Sequence, residues 1–396
     1  MNKVTVKDIE VKGKRVLVRV DFNVPLDEKT GDIADDNRIR AALPTIKYLK
    51  DHGAKVILMS HLGRPKGKVV ENLRLNAIAE RLSQVLRQPV AMAPDCVGAG
   101  VERMVAAMKA GDVLMLENLR FHKEEEAGDL PFVQALARLG DVFVNDAFGA
   151  AHRAHASVSV IAGFLPAAAG FLMEKEVANL GKIMENPVRP FAALLGGAKI
   201  SDKVSMLENI MDKVDYVMVG GGMAATFLKA ESYEVGQSLV ETDMLDTASR
   251  LIELARKKKV NLMLPMDFVV ADEVNSGART ENVPTAEIPG EKRIVDIGPQ
   301  TIDAFSLELR KCKTIFWNGP MGIFEIPEFA GGTKELAKLL AGLEAMTVIG
   351  GGSTAEAVGE MGLADKMTFV STGGGASLEF LSGDELPGVA ALPDKE

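Results

Sequence analysis

The sequence predicts an α/β fold made of two domains, each with a mainly parallel sheet between layers of helices. Short β-branched and apolar runs alternate with amphipathic segments along the chain, which is the pattern of βαβ units. The chain has 396 residues, and domains of roughly 150 residues each make two large domains the simplest division. A charged helical segment at 174–187, ended by Asn186-Pro187, separates two series of strands.

The predicted strands fall into one series before this segment and one after it. Those of the first half are 15–20, 55–60, 112–116 and 141–145, and those of the second half are 191–195, 215–219, 261–265, 314–318, 347–350 and 368–371. Helices are expected at 72–87, 132–139, 243–259 and 333–342. We therefore predict two Rossmann-like three-layer α/β/α domains, joined by a hinge helix around a cleft.

Composition and charge exclude several classes of protein. The chain is 47% hydrophobic and 26% charged, so it is neither disordered nor fibrous. The net charge is −9, yet residues 1–173 carry 24 Lys and Arg against 21 Asp and Glu, and the remainder carries 22 against 34. An acidic chain does not favour non-specific nucleic-acid binding, although it permits a cationic cleft in the first half.

The sequence indicates a cytoplasmic protein that binds no membrane. Cys96 and Cys312 are too few and too far apart for a disulfide framework or a metal site, which favours a reducing compartment. The N-terminus lacks the apolar region of a secretory signal. The longest stretch without a formal charge, 154–173, contains His155 and Pro166 and does not fit a membrane span.

Polar and basic side chains follow the strands of the first half. In open α/β sheets, ligands bind beyond the carboxyl ends of the strands. Arginine binds phosphate and carboxylate bidentately, so several arginines at one sheet edge predict a site for a small polyanion carrying both groups. The residues concerned are Asp21, Asn23, Arg38, His61, Arg64, Arg120 and Arg153.

Glycine follows the strands of the second half instead. Glycine lets backbone N–H groups approach phosphates, and a helix N-terminus adds a favourable dipole. We therefore predict a nucleotide polyphosphate site, with Lys199 and Lys203 on one face of a helix beside a transferring phosphoryl group. The glycine-rich strand ends are 196–199, 220–223, 318–322, 350–354 and 372–375.

Motif searches narrow the choices but leave one rival. Neither the G-x-x-x-x-G-K-[ST] phosphate loop nor the G-x-S-x-G hydrolase elbow is present. The ranges 220–225 and 350–355 fit a loose dinucleotide fingerprint, which keeps a dehydrogenase open. We expect His122 at the surface, and His152 and His155 in an anion-binding or structural role rather than as metal ligands.

Seven segments together resemble the phosphoglycerate kinase family, in order and over essentially the whole chain. They are RVDFNVP (19–25), SHLGRP (60–65), DAFG (146–149), AHRA (151–154), GGAK (196–199), WNGP (317–320) and STGGG (371–375). The resemblance implies reversible transfer of the acyl phosphate of 1,3-bisphosphoglycerate to MgADP, giving 3-phosphoglycerate and MgATP in glycolysis and gluconeogenesis. It also implies direct in-line transfer after domain closure, without a covalent enzyme intermediate.

The resemblance assigns residues to each substrate. The phosphoglycerate would be held by Asp21, Asn23, Arg38, His61, Arg64, Arg120 and Arg153. The nucleotide would be held by Gly197, Lys199, Lys203, Gly222, Asn318, Pro320, Gly322, Glu325, Gly352, Ser353 and Thr354, with Glu325 facing the ribose. The transferred phosphoryl group would be surrounded by Arg38, Lys203 and the amides of Gly373, Gly374 and Gly375.

The resemblance also refines the domains and the oligomeric state. We expect a phosphoglycerate-binding domain at 1–173, a hinge helix at 174–187 and a nucleotide-binding domain at 188–380. The chain end, about 381–396, is expected to return to the first domain. We expect a monomer whose partners are its small-molecule substrates.

Ser353 departs from the family pattern. Most members have aspartate there, where it helps to hold the Mg²⁺ of the nucleotide. A neutral hydroxyl is a poorer ligand for this hard cation, so the protein ligands of the metal stay unknown. Besides the acyl-phosphate kinase and the dinucleotide-dependent dehydrogenase, a nucleotide-binding protein that has lost activity through Ser353 is therefore a third hypothesis.

Overall fold

The computed structural model describes residues 2–27 and 29–395. The chain forms two compact units: unit 1 comprises Met1–Ala178 with Glu385–Glu396, and unit 2 comprises Asn179–Asp384. None of the helices in these described ranges is both long and apolar enough to cross a bilayer.

Unit 1 is built on a six-stranded parallel sheet. Its strands are β1 (Arg15–Arg19), β2 (Lys55–Met59), β3 (Ala91–Met92), β4 (Val113–Met115), β5 (Val142–Asn145) and β6 (Ala167–Ala169). Its helices are α1 (Asn37–Asp51), α2 (Asn76–Leu86), α3 (Ala99–Ala107), α4 (Lys123–Ala127), α5 (Leu130–Ala137) and the first part of α6 (Phe171–Glu185). The strand order is β3-β4-β2-β1-β5-β6.

The register of this sheet brings its functional strand ends together. Arg19 at the end of β1 is level with Met59 on β2 and with Asn145 on β5. β1, β2, β4 and β5 are buried on both faces, as expected for a parallel sheet covered by helices. The loops that follow these four strands therefore leave from one edge of the sheet.

Unit 2 contains a second parallel sheet and a small antiparallel one. Its strands are β7 (Phe191–Leu195), β8 (Tyr216–Val219), β9 (Asn261–Met263), β10 (Asp267–Ala271), β11 (Thr280–Pro284), β12 (Arg293–Ile297), β13 (Thr314–Asn318), β14 (Met346–Gly350) and β15 (Phe369–Val370). The parallel order is β15-β14-β13-β7-β8-β9, and the antiparallel order is β11-β10-β12. Asn318 at the end of β13 is level with Leu195 on one side and Gly350 on the other.

The helices of unit 2 alternate with these strands. They are α7 (Val204–Ile210), α8 (Met223–Ala230), α9 (Leu245–Lys258), α10 (Pro299–Leu309), α11 (Gly331–Ala341), α12 (Gly352–Glu360) and α13 (Gly375–Leu381). The chain then re-enters unit 1 with α14 (Pro387–Ala390).

A buried carboxylate organises the start of α6. Asp146, just after β5, accepts hydrogen bonds at Oδ1 from the amides of Leu172 and Met173, at 2.9 and 3.3 Å. A Cβ built on Gly170 would lie 2.1 Å from the same oxygen, so only glycine fits before the helix. Burial raises the pKa of Asp146 to about 7.

The predicted fold class, two α/β domains with mainly parallel sheets, is confirmed. The sequence did not predict the edge strands β3 and β6, which have two and three residues. It also missed the antiparallel sheet, whose strand β11 reads TENVP and exposes four of its five residues. Such short or polar strands carry no periodicity to recognise.

Candidate active site

A buried arginine lies at the centre of the strand ends of unit 1. Arg19 closes the central strand β1 and is only 1% exposed. Its Nε donates to Ser157 Oγ at 2.8 Å, its Nη1 donates to the carbonyl of Val20, and its Nη2 lies 3.1 Å from His61 Nδ1. The sequence analysis did not select Arg19 as a site residue, because an apolar strand pattern surrounds it.

A second buried carboxylate partly balances Arg19. Ser157 Oγ donates to Glu125 Oε1 at 2.6 Å, and the Ser157 amide donates to the other oxygen at 3.1 Å. Burial raises the pKa of Glu125, although the charge of Arg19 opposes that shift. Arg19, Ser157 and Glu125 thus form a hydrogen-bonded chain beneath the site.

His61 is a neutral imidazole among guanidinium groups. It is 2% exposed, and its Nε2 lies 3.5 Å from Arg153 Nη1. Burial, reinforced by the charges of Arg19 and Arg120, lowers the pKa of His61 well below 6.5. A guanidinium only donates, so the shorter contact, 3.1 Å from Arg19 Nη2, makes Nδ1 the acceptor. The ring proton then sits on Nε2, whose contact with Arg153 is longer at 3.5 Å. That N–H can donate to an anion.

Arg38 and Asp21 form an ion pair at the mouth of this site. Arg38 lies in the first turn of α1, and its Nη1 donates to Asp21 Oδ2. The Arg38 side chain is 31% exposed. A guanidinium has five N–H groups, so others remain for a ligand. Nearby, Asn23 Oδ1 accepts from the Gly63 amide at 2.8 Å and ties the end of β1 to the loop after β2.

Arg120 and Arg153 complete the cationic cluster. Arg120 Nη1 donates to the Gly63 carbonyl at 2.8 Å, and its Nε lies 3.2 Å from Glu126. Burial and the neighbouring Arg153 lower the pKa of Arg120. Burial, together with Arg120 and Arg153, lowers the pKa of His155 to about 4. We call Arg19, Arg38, His61, Arg120 and Arg153 the cationic cluster.

The cluster therefore brings together four of the seven residues predicted from the sequence, Arg38, His61, Arg120 and Arg153, and adds Arg19. Asp21 and Asn23 hold its framework. Arg64 is exposed and makes none of the hydrogen bonds that link the cluster within the described chain.

Unit 2 contains a cavity of about 700 Å³, within the range of small-molecule sites. Six of the predicted nucleotide residues line it: Gly197, Gly222, Pro320, Gly322, Glu325 and Ser353. Its remaining walls are mainly apolar and include Ala225, Leu239, Val240, Val274, Val295 and Ile323. The cavity also presents polar groups, from Gln237, Ser238, Arg293, Glu325 and Ser353. Apolar walls with a few polar groups suit a flat heterocycle joined to a polar sugar.

Lys203 is buried at the edge of this glycine-rich region. A Cβ built on Gly197 would lie 3.4 Å from Lys203 Nζ, so the ammonium group lies beside that loop. Burial lowers the pKa of Lys203, while Asp202 and Glu241 favour its charged form. Lys199 is exposed. The prediction that both lysines share one helix face is wrong, because 201–203 is a 3₁₀ turn and α7 begins only after it.

Glu241 holds the segment that leads to Lys203. Its carboxylate accepts from the Ile200 amide at 2.6 Å, the Ser201 amide at 3.3 Å and Ser201 Oγ at 2.5 Å. Partial burial alone would raise the pKa of Glu241, but the hydrogen bonds from Ser201 lower it. No motif links Glu241 to a turn 40 residues earlier, so no signal in the sequence could have identified it.

Several glycines of unit 2 serve loop packing. A Cβ on Gly196 would lie 2.1 Å from the Pro320 carbonyl oxygen, and one on Gly221 would lie 2.6 Å from the Gly197 nitrogen. The Gly197 amide donates to the Pro320 carbonyl at 2.9 Å. The Gly319 amide likewise donates to the buried hydroxyl of Thr354 at 2.7 Å. These amides stabilise the loops, which is a different role from the phosphate cradle that the sequence suggested.

Other groups in unit 2 face open space. A Cβ built on Gly352, Gly374 or Gly375 would meet nothing within 4 Å. The Gly373 amide donates to Ser371 Oγ at 3.1 Å. Asn318 Nδ2 is buried and finds no hydrogen-bond acceptor within the described chain. A buried donor without an acceptor calls for an explanation, and a bound anion would supply one.

Comparison with known proteins identifies the family. The profile described as phosphoglycerate kinase matches residues 6–384. The chain is 56% identical over 395 residues to the phosphoglycerate kinase of Pelotomaculum thermopropionicum and 55% identical to that of Moorella thermoacetica, in each case over 100% of both chains. The solved structure of phosphoglycerate kinase from Coxiella burnetii matches with a TM-score of 0.88 at 40% identity, over 98% of each chain.

Two parallel α/β units, one with a cationic cluster and one with a glycine-bordered cavity, define a kinase of a small anionic substrate. The chain belongs to the phosphoglycerate kinase family. The resemblance noted from the seven segments is confirmed, and the chain is a transferase of glycolysis. The dinucleotide-dependent dehydrogenase is therefore set aside.

Proposed function

We propose that unit 1 binds the phosphoglycerate and unit 2 binds the nucleotide in a reversible transfer of the acyl phosphate of 1,3-bisphosphoglycerate to MgADP. The observation that carries this assignment is the cationic cluster, where four guanidinium groups surround one neutral imidazole. The carboxylates in contact with them, Asp21 and Glu126, are fewer than the arginines. The excess positive charge suits a substrate with both phosphate and carboxylate groups.

Arg38 acts at the reacting end of this substrate. Its side chain is 31% exposed, against 7% for Arg120, which also pairs with a carboxylate. The ion pair with Asp21 holds Arg38 in place. Arg120 and Arg153 bind the remaining anionic oxygens, and His61 donates from Nε2. Arg19 orients His61 from below, since it holds the other ring nitrogen.

The nucleotide places its base and ribose in the cavity of unit 2, with Glu325 beside the ribose. Its phosphates extend toward Lys203, Asn318 and the open amides at Gly352, Gly374 and Gly375. Asn318 Nδ2 then gains the acceptor that it lacks within the described chain. The same site is completed by Lys199, Gly222, Pro320, Gly322 and Thr354.

Transfer proceeds in line, and the protein contributes positioning and charge stabilisation. Arg38 from unit 1 and Lys203 from unit 2 neutralise the transferred phosphoryl group. Because the substrates are assigned to different units, direct transfer requires closure of the units, about the segment 174–187 predicted from the sequence. Closure also excludes water, which would otherwise hydrolyse the acyl phosphate.

Mg²⁺ enters as part of the nucleotide substrate. Ser353 lines the cavity and offers one neutral oxygen, and Asp202 offers an exposed carboxylate nearby in sequence to Lys203. Within the described part of unit 2, no group of three metal-ligating side chains gathers. Mg²⁺ commonly takes waters and phosphate oxygens as its main ligands, which Ser353 or Asp202 would supplement.

A coupled assay tests this function. Purified full-length chain with 3-phosphoglycerate and MgATP should form ADP, and omission of either substrate should abolish the signal. Binding of MgADP with no turnover in either direction would instead favour a nucleotide-binding protein that has lost activity through Ser353. Sedimentation of the same sample tests the expected monomer, and fractionation of cells tests the expected cytoplasmic location.

A further inference from the structure

Unit 1 contains a second cluster of reactive side chains, apart from the cationic cluster. Asp95 and Cys96 lie in the loop between β3 and α3, and His122 directly precedes α4. The Asp95 carboxylate, the Cys96 thiol and the His122 imidazole each place a ligand atom within 4.8 Å of the other two. His122 Nε2 is 2.7 Å from Asp95 Oδ1.

The chemistry of these three groups is that of a zinc site. Thiolate, imidazole and carboxylate are the ligands that Zn²⁺ takes, in tetrahedral geometry. Bond lengths of about 2.0–2.3 Å place neighbouring ligand atoms roughly 3.3–3.6 Å apart. Asp95 Oδ1 and His122 Nε2, which are 2.7 Å apart, would therefore have to separate by less than an ångström. The Cys96 sulfur already lies within 4.8 Å of a ligand atom of each of the other two residues.

The surroundings allow a cation to enter and stay. The side chains of His122 and Asp95 are 28% and 48% exposed, so a water can complete the coordination from the solvent side, while Cys96 is buried beneath. The His122 ring stacks on Phe132 with centroids 5.3 Å apart, which orients the imidazole. Burial, together with the charges of Asp95 and Glu125, raises the pKa of the Cys96 thiol, so a bound metal would displace its proton. A thiolate and a carboxylate together neutralise a divalent ion.

We propose that Asp95, Cys96 and His122 form a three-residue Zn²⁺ site with water in the fourth position. From the sequence, neither the two cysteines nor His152 and His155 were expected to form a metal site, and His122 was expected at the surface. His122 lies 26 residues after Cys96, and no motif spacing connects them. A bound ion would clamp the loop after β3 to the turn 119–121, which carries Arg120.

Cobalt titration of the full-length chain tests the site. After removal of metals with EDTA, Co²⁺ should bind with the near-ultraviolet charge-transfer band of a thiolate ligand and the intense visible bands of tetrahedral cobalt. One equivalent of Zn²⁺ should abolish both signals. Saturation with Co²⁺ without the thiolate band would overturn the proposal.

Matched variants assign the ligands. Cys96→Ser should remove the charge-transfer band and weaken Zn²⁺ binding at least about tenfold, whereas Cys312→Ser, at the other buried cysteine, should leave both unchanged. His122→Gln, at a partly exposed position, tests the site without disturbing the core. It should weaken Zn²⁺ binding to a similar extent while circular dichroism stays that of the parent. Zn²⁺ affinity unchanged in both Cys96→Ser and His122→Gln, or lowered equally by Cys312→Ser, would contradict the site.

Discussion

Unit 1 and unit 2 place their candidate sites at the same position, the carboxyl edge of a parallel sheet, but build them from different groups. In unit 1 the groups are charged side chains, and Arg19 is buried almost completely to support them. In unit 2 they are glycine loops, one buried lysine and an apolar cavity. The same fold thus offers charged side chains for binding in unit 1 and largely backbone groups in unit 2.

The difference fits the ligands proposed for the two units. A small molecule with phosphate and carboxylate groups offers little apolar surface, so its affinity must come from charge-assisted hydrogen bonds. A nucleotide offers a large heterocycle, so an apolar cavity contributes, and phosphates can approach backbone where no side chain intervenes. Substitutions in unit 1 should therefore change ligand binding mainly by removing charge. Those in unit 2 should change it mainly by filling the space that glycine leaves open.

The largest effect is expected from the loss of a charge in unit 1. Arg38→Ala should lower kcat/KM for 3-phosphoglycerate by at least about 100-fold, because it removes charge stabilisation at the transferred group. The matched control is Arg40→Ala, two residues further along α1, whose exposed side chain pairs with Asp36. That variant should stay within about twofold of the parent in steady-state assays. Equal losses of kcat/KM in the two variants would contradict the assignment of Arg38 to the transferred phosphoryl group.

The corresponding charge in unit 2 is Lys203. Lys203→Met keeps the length of the side chain and should lower kcat about 10- to 100-fold. Lys199→Met removes an exposed charge and should mainly raise KM for MgATP by a few-fold, since exposed charges are screened. Kinetics at varied MgATP concentrations separate the two outcomes. A larger fall in kcat for Lys199→Met would exchange their roles.

Glycines of unit 2 should divide into two groups when replaced. Gly196→Ala should lower the free energy of unfolding by at least about 2 kcal/mol, because its Cβ would overlap the Pro320 carbonyl. Gly375→Ala meets nothing and should keep its stability while losing about tenfold in rate, since it crowds the phosphates. Urea unfolding and turnover are measured on both variants.

The control for this pair is Gly359→Ala inside α12, where a Cβ also meets nothing. It should raise stability by about 0.5–1 kcal/mol and leave turnover unchanged. If Gly375→Ala behaved like Gly359→Ala, the glycine-rich end of β15 would have no part in the reaction.

Both units should respond to pH, because each contains a buried carboxylate whose pKa is raised to about 7. Asp146 in unit 1 and Asp296 in unit 2 both have a pKa raised by burial to about 7. The folded state then binds the proton more tightly than the unfolded state, so the stability that each of these two groups contributes is present at low pH and falls as pH rises toward 7. Between pH 5 and 7 each group should contribute a slope of roughly 1 kcal/mol per pH unit.

Asp146→Asn and Asp296→Asn should each remove their share of this slope in urea unfolding across pH 5 to 8. The control is Asp141→Asn, at a surface carboxylate whose pKa is lowered by its hydrogen bond with Arg15. That group loses its contribution only as pH falls below about 4, so the variant should leave the slope between pH 5 and 8 unchanged. A slope in either variant equal to that of the parent would contradict the assignment, whatever His61 and His155, whose lowered pKa values act in the opposite sense, contribute to both.

The smallest effect is expected at Ser353. Ser353→Asp adds a carboxylate to the nucleotide cavity and should lower the Mg²⁺ concentration for half-maximal rate by about two- to fivefold. Ser276→Asp adds the same charge at an exposed position of unit 2 and should not change it. A Mg²⁺ requirement unchanged by Ser353→Asp would show that the metal is held elsewhere.

Sequence reasoning predicted the fold well where periodicity is strong. Buried parallel strands such as β1, β7 and β13 are recognisable in the sequence as apolar runs. A residue that follows such a run lies at the carboxyl edge of the sheet, where ligands bind. This is why Arg120 and Arg153 were predicted, whereas Arg38 was selected because it opens the helix after β1. In the antiparallel sheet β11 is polar and exposed and gives no signal, while β10 and β12 are largely apolar runs that were not selected.

Other features depend on contacts that no local pattern encodes. Arg19 was hidden inside an apolar strand, and its role follows only from its contact with His61. Glu241 reaches Ser201 across a tertiary contact. Glycine is ambiguous in sequence, because Gly196 packs against a loop while Gly375 faces open space. Only the three-dimensional structure distinguishes close packing at Gly196 from open space at Gly375.

Isothermal titration of Arg153→Ala with each substrate tests the division between side-chain and backbone recognition most directly. Arg153 belongs to the cationic cluster of unit 1, so its loss should weaken 3-phosphoglycerate binding by about 10- to 100-fold, the value of a charge-assisted hydrogen bond. MgADP binding should stay within about twofold of the parent. A comparable loss of MgADP affinity, or an unchanged affinity for 3-phosphoglycerate, would contradict the assignment of one ligand to each unit.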